Sequence, residues 1–153
     1  MTVIIENANT FGFLDEADLN TFEERIEVQS PHDYRELLKK YNGGTPKPAG
    51  FWIEIDKDSS SINLLYGLFK SPKYYSIDGA ATLEWKLPDN LLPIGDDGTG
   101  NLICIAITGN TKGSVFFIDH EIYLPNEKES FRGITKLSNS FSEFLSILEE
   151  LPE

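Results

Sequence analysis

Three apolar runs near the middle of the chain, Leu91–Ile94, Leu102–Ile107 and Val115–Ile118, are separated by little more than Gly95-Asp96-Asp97-Gly98-Thr99-Gly100 and Gly109-Asn110-Thr111-Lys112-Gly113. A parallel crossover needs a dozen residues or more, so these connections predict neighbouring antiparallel strands joined by tight turns. Any fold for this chain has to be built around that meander.

The flanking segments have a different period. Leu14, Leu19, Phe22 and Ile26 recur at three- to five-residue spacing, which predicts an amphipathic helix over Asp15 to Ile26 with an acidic first turn. A second helix is predicted from Ser30 as cap and Pro31 as first helical residue, with Tyr34, Leu37, Leu38 and Tyr41 on one face. Asn42-Gly43-Gly44 ends it, and Pro46 and Pro48 block continuation.

Further on, Phe51, Ile53 and Ile55 alternate with Trp52 and Glu54, and Ile62 to Phe69 is rich in strand formers, which predicts two strands joined by Asp56 to Ser61. Ser76 to Lys86 reads equally as a short helix or a loop, since Gly79 weakens both. Phe141, Phe144, Leu145, Leu148 and Leu151 predict a closing helix capped by Ser138 or Ser140. The expectation is one α+β domain over residues 1–153, with its core at about 11–151. It has a mostly antiparallel central sheet flanked by N-terminal helices and a C-terminal helix. At this length a folded chain buries roughly 70% of its unfolded surface.

Charge limits the partners. With 25 acidic and 13 basic side chains the formal net charge is -12, and both ends are acidic around a nearly neutral middle. Nucleic acid and anionic bilayers attract clustered Lys and Arg, so direct binding to either is not expected. Cys104, the single cysteine, allows neither an intramolecular disulfide nor a four-ligand zinc set, and its apolar run predicts a buried, inert thiol. The N-terminus lacks a basic segment before its apolar residues, and no run reaches the roughly 18 residues of a membrane span. A cytoplasmic protein is expected, a monomer or a weak homo-oligomer.

Two segments invite a chemical reading. The Gly95–Gly100 loop has no Walker lysine and leads to a strand rather than a helix, so it reads as a turn and not a phosphate cradle. It also lacks the alternating ligands and closing Glu of a calcium loop. Asp119-His120-Glu121 would suit acid–base chemistry in a cleft, but neighbours on a strand point to opposite faces. The only other histidine is His32, and no GxSxG elbow occurs. A small hydrolase built on Asp119, His120 and Glu121 is therefore the weaker reading; no enzyme, cofactor or metal site is expected. If Phe51, Ile53 and Ile55 face the core, Trp52 stands outward beside Glu54, either as a protein-binding aromatic or as one covered by the following loop.

Four segments occur in a recognisable order: Pro31–Leu38 leading to Tyr41-Asn42-Gly43-Gly44, then Leu92–Asn101, then Val115–Glu121, then Ser140–Leu145. Together they resemble the SUKH superfamily, named partly for yeast cell-wall assembly regulators and known chiefly as bacterial immunity proteins. The family pattern has Leu before the helix-starting proline, where this chain has Ser30. The resemblance implies a non-catalytic α+β domain that binds and neutralises a cognate toxin by stoichiometric occlusion, the toxin differing between members and often being a nuclease, whose polyanionic substrate calls for a basic cleft. It implies that the Asn-Gly-Gly and Gly-Asp-Asp-Gly-Thr-Gly segments are structural turns. A regulatory interaction module of the Smi/Knr type is the alternative. Charge and expected exposure select Trp52, Glu54, Asp56, Asp96, Asp97, Asp119 and Glu121 as partner contacts.

Overall fold

Side chains along the predicted meander divide between two cores, as strand alternation requires. Leu92, Ile94, Ile103, Ile105, Val115 and Phe117 enter the larger one, and Leu91, Leu102, Cys104, Ala106 and Ile118 the smaller. The computed structural model describes residues 3–9, 12–53, 58–68, 87–123 and 133–151. In chain order the elements are β1 (Ile4–Glu6), α1 (Glu16–Ile26), α2 (His32–Tyr41), β2 (Thr45–Lys47), β3 (Gly50–Ile53), β4 (Asp58–Ser61), β5 (Leu64–Leu65), β6 (Leu91–Asp96), β7 (Leu102–Ala106), β8 (Val115–Ile118), β9 (Ile134–Ser138) and α3 (Phe141–Ser146). Strands β5 to β9 form one sheet in sequential order, every pair antiparallel. Two small antiparallel pairs, β1 with β2 and β3 with β4, complete the described strands. The fold is α+β, with helices at both ends of the sequence packed on a mostly antiparallel sheet.

The N-terminal helices are built as their spacing predicts. Asp15 caps α1 by accepting from the Asp18 N–H at 2.8 Å, while Asp18 accepts from the Asp15 N–H at 3.0 Å. These reciprocal bonds satisfy two N–H groups at the helix entry. Leu19 and Phe22 are its buried face. Helix α2 buries Tyr34 and Leu38, and the Tyr34 ring meets Phe141 of α3 edge-on at 5.2 Å.

Ser30 does not cap α2. Pro31 occupies the cap position without a side-chain bond. The Ser30 hydroxyl and N–H both donate to Glu23 at 2.7 and 2.6 Å, and Arg35 donates to the same carboxylate at 3.1 Å. Donating to the Glu23 carboxylate, a charge-assisted bond, turns the hydroxyl toward α1 and away from the helix N–H groups that a cap would accept from.

Asn42 ends α2 in the left-handed conformation, and Gly43 and Gly44 follow with positive φ, so the Asn-Gly-Gly segment is the predicted terminator. The buried Asn42 side chain does more than cap. Its amide accepts from the Leu68 N–H at 2.7 Å and donates to the carbonyls of Gly12 at 2.8 Å and Leu68 at 3.2 Å.

Three further expectations need correction. The serine tract expected as a loop is strand: Gly50 to Ile53 pair with Ser61 to Asp58. Ladder hydrogen bonds there outweigh the loop preference of serine. Of the Ile62–Phe69 run only Leu64–Leu65 is strand, and Phe69 lies outside the described residues, as does Ser76 to Lys86. The closing helix is capped by Ser140, which accepts from the Glu143 N–H at 3.1 Å, but stops at Ser146. Past it, Glu149 exchanges two backbone hydrogen bonds with Gly50, each 2.9 Å, and this pairing diverts the chain. Among the described residues, no helix is long and apolar enough to cross a membrane.

Candidate functional site

The loop between β6 and β7 organises one end of the central sheet. Asp97 Oδ1 accepts from the Thr99 N–H (2.9 Å), the Thr99 hydroxyl (2.8 Å) and the Asn101 N–H (3.2 Å). Its Oδ2 accepts from the Ser60 hydroxyl (3.0 Å) and the Asn101 amide (2.8 Å). Burial alone would raise the Asp97 carboxyl, but hydrogen bonds from Thr99, Asn101 and Ser60 outweigh it and hold it below its ordinary value. Asp96 is also engaged, accepting from Asn63 (3.1 Å), Tyr66 (2.9 Å) and the Gly98 N–H (3.0 Å). The loop is thus a turn whose carboxylates are occupied by hydrogen bonds: Asp97 ties β4 to the sheet through Ser60, and Asp96 holds the residues on either side of β5.

Asn101 carries this network to the neighbouring turn. Because its amide nitrogen donates to Asp97, its oxygen faces His120 and accepts from the His120 N–H at 3.0 Å. The same oxygen lies 2.6 Å from His120 Nδ1, which places the ring proton on that nitrogen. Asp119-His120-Glu121 begins beyond the end of β8 and runs into a turn rather than along a strand. Asp119 Oδ1 accepts from the Glu121 N–H at 2.9 Å and stabilises that turn. Among the described residues, the Asn101 amide is what orients the imidazole. The structure brings Asp96, Asp97, Asp119 and Glu121 to the same end of the sheet, while Glu54 and Asp56 lie outside the described residues.

Trp52 stands elsewhere, as its alternation predicts: Phe51 and Ile53 are buried while Trp52 is 45% exposed. Its indole N–H donates to Glu149 at 2.9 Å. The ring borders a groove of about 470 Å³ whose other walls include Lys136 and Leu137 of β9, Glu143 of α3, and Ile147. Among the described residues, neither Glu143 nor Glu149 has a cation within ion-pair distance. Trp52 was legible from its alternation, but nothing in the sequence joins it to the other groove residues, since Trp52 and Glu149 are separated by 97 positions.

Cys104 is fully buried, and burial pushes its thiol well above the usual range, so it is no nucleophile at neutral pH. Among the described residues, no group of three or more His, Cys, Asp or Glu could hold a metal ion.

The geometry fits what comparison with known proteins finds. The SMI1/KNR4 family (SUKH-1) matches residues 14–147, which include both N-terminal helices, the whole central sheet and α3. The chain belongs to this family. It is also similar to the SPbeta prophage-derived uncharacterized protein YokK of Bacillus subtilis (strain 168), with 30% identity over 162 residues, covering 94% of this chain and 77% of that protein. In this SUKH-1 protein the two glycine-rich segments are structural turns. Asn42-Gly43-Gly44 joins α2 to β5, and Gly95–Gly100 joins the sheet to β4.

Proposed function

We propose that this SUKH-1 protein is a cytoplasmic immunity protein that binds a cognate toxin domain, a nuclease, one to one and occludes its basic cleft without turnover or cofactor. What supports the reading, beyond family membership, is acidity that the fold leaves uncompensated. Glu16 and Glu23 are matched by Arg35 and Lys39, but Asp119, Glu121, Glu143 and Glu149 form no ion pair among the described residues. On a chain of net charge -12 such groups attract a protein whose cleft evolved to hold a polyanion.

The test is co-expression with the toxin domain encoded beside the gene, scored for survival, together with titration calorimetry on the purified pair. Protection with a 1:1 stoichiometry is expected. Cell death despite expression, with no heat of binding, overturns the reading in favour of a regulatory interaction module. Turnover abolished by His120→Ala would instead establish the hydrolase.

A further inference from the structure

We infer that the groove between β9, α3 and Trp52 is a docking surface for an extended basic segment of a partner protein. In this segment aliphatic side chains lie across Trp52 and Ile147, and Lys or Arg side chains meet Glu143 and Glu149. This deepens the immunity reading and rests on it for the partner's identity, but not for the chemistry of the groove.

Four observations converge there. Trp52 and Ile147 are 45% and 41% exposed and line the same groove, unlike the scattered exposed side chains of Ile4, Phe13 and Ile122. The indole is held by its hydrogen bond to Glu149, so an incoming chain meets a fixed ring and little side-chain entropy is lost on contact. Strand β9 is the last in its sheet, and among the described residues no strand pairs with its outer edge. Strand β3 touches β9 without joining it. Unpaired edge groups are a template for one more strand, which is why an extended segment fits better than a helix.

Charge selects the sign of that segment. Two carboxylates without counterions among the described residues, Glu143 and Glu149, face the groove against one cation, Lys136, and exposed Glu150 follows directly. A guanidinium or ammonium beside Glu149 also lies against the Trp52 indole, where the ring face attracts cations. An acidic segment would meet repulsion at both carboxylates. The cluster at Asp96 and Asp97 makes no comparable offer, because internal hydrogen bonds already occupy its oxygens.

The variants are chosen to keep the fold. Glu149→Gln retains an acceptor for Trp52 while removing the charge, and Glu143 is an exposed helix residue. The full-length protein is titrated with two probes. One is the toxin domain from the neighbouring gene; the other is a synthetic heptapeptide alternating Arg with Leu, alongside its counterpart with Glu for Arg. For either basic probe, Glu143→Gln/Glu149→Gln is expected to weaken binding about tenfold, as is Ile147→Ser. Lys136→Glu is expected to tighten it about threefold, an effect that damage to the fold would not produce.

The Arg/Leu peptide, and not the Glu/Leu peptide, should shift the Trp52 indole resonance. Toxin binding undiminished in all groove variants overturns the inference and leaves the immunity reading standing. If the toxin domain does not bind at all while the Arg/Leu peptide shifts Trp52, the immunity reading fails and the groove stands. An indole unmoved by both peptides overturns the groove.

Discussion

Asp97 shows how much one side chain does that its local sequence does not disclose. That Gly95–Gly100 would turn was legible from its glycines, yet Ser60, Asn63 and Tyr66, the remote donors to Asp97 and Asp96, lie 37, 33 and 30 positions away. Asp97→Ala should cost about 2 kcal/mol in urea unfolding at pH 7, since several polar groups lose a charged partner together. The folded state lowers this carboxyl's pKa, so its stabilisation is fully present above the unfolded value of 3.8 and is lost as pH falls through the folded value. Wild type should therefore lose stability on acidification below about pH 4 more steeply than Asp97→Ala. Glu23 obeys the same sign: burial would raise it, but hydrogen bonds from Ser30 and Arg35 hold it down. Tyr34 is the opposite case. Its hydroxyl is fully buried with no hydrogen-bond partner among the described residues, and that burial raises its pKa beyond the usual range. Tyr34→Phe should leave thermal stability unchanged or raise it, in contrast to the loss of roughly 1 kcal/mol usual when a bonded hydroxyl is deleted.

At the scale of elements, apolar spacing revealed the helices and the meander, whereas their ends depended on tertiary contacts. The end of α2 was readable because Asn and Gly favour left-handed backbone wherever they stand. The early stop of α3 was not, because Leu148 and Leu151 keep a helical spacing and only the pairing of Glu149 with Gly50 interrupts it. Nor did Ser59 and Ser60 announce a strand; their place opposite Trp52 and Phe51 made one. Two glycines mark where elements touch. A methyl group at Gly67 would stand 2.6 Å from both the backbone and side-chain oxygens of Asn42, so Gly67→Ala should lower the melting temperature by several degrees, equivalent to about 2 kcal/mol. At Gly50 a methyl group would collide with the Leu151 side chain and the Glu149 carbonyl. Gly50→Ala should thus push the C-terminal segment off β3, release the Trp52 indole N–H and weaken toxin binding along with stability, which calorimetry and indole exchange would both register.

For the molecule as a whole, net charge follows from composition alone, and it sets the clearest kinetic expectation. If the proposed toxin partner is right, raising ionic strength from about 0.02 M to about 0.5 M should slow association with it by about tenfold while changing dissociation much less, as stopped-flow mixing would show. The groove was hidden in the sequence for a geometric reason: its walls come from β3, β9, α3 and the residues after α3, and only folding brings them together. That separation bears on timing during synthesis. Strands β5 to β9 neighbour one another in the order they leave the ribosome, so the sheet needs no later segment threaded between earlier ones. Trp52, by contrast, waits for Glu149, which follows the last strand of the sheet and α3 in chain order. A nascent chain would therefore carry a completed sheet before the Trp52 side of the groove is fixed in place.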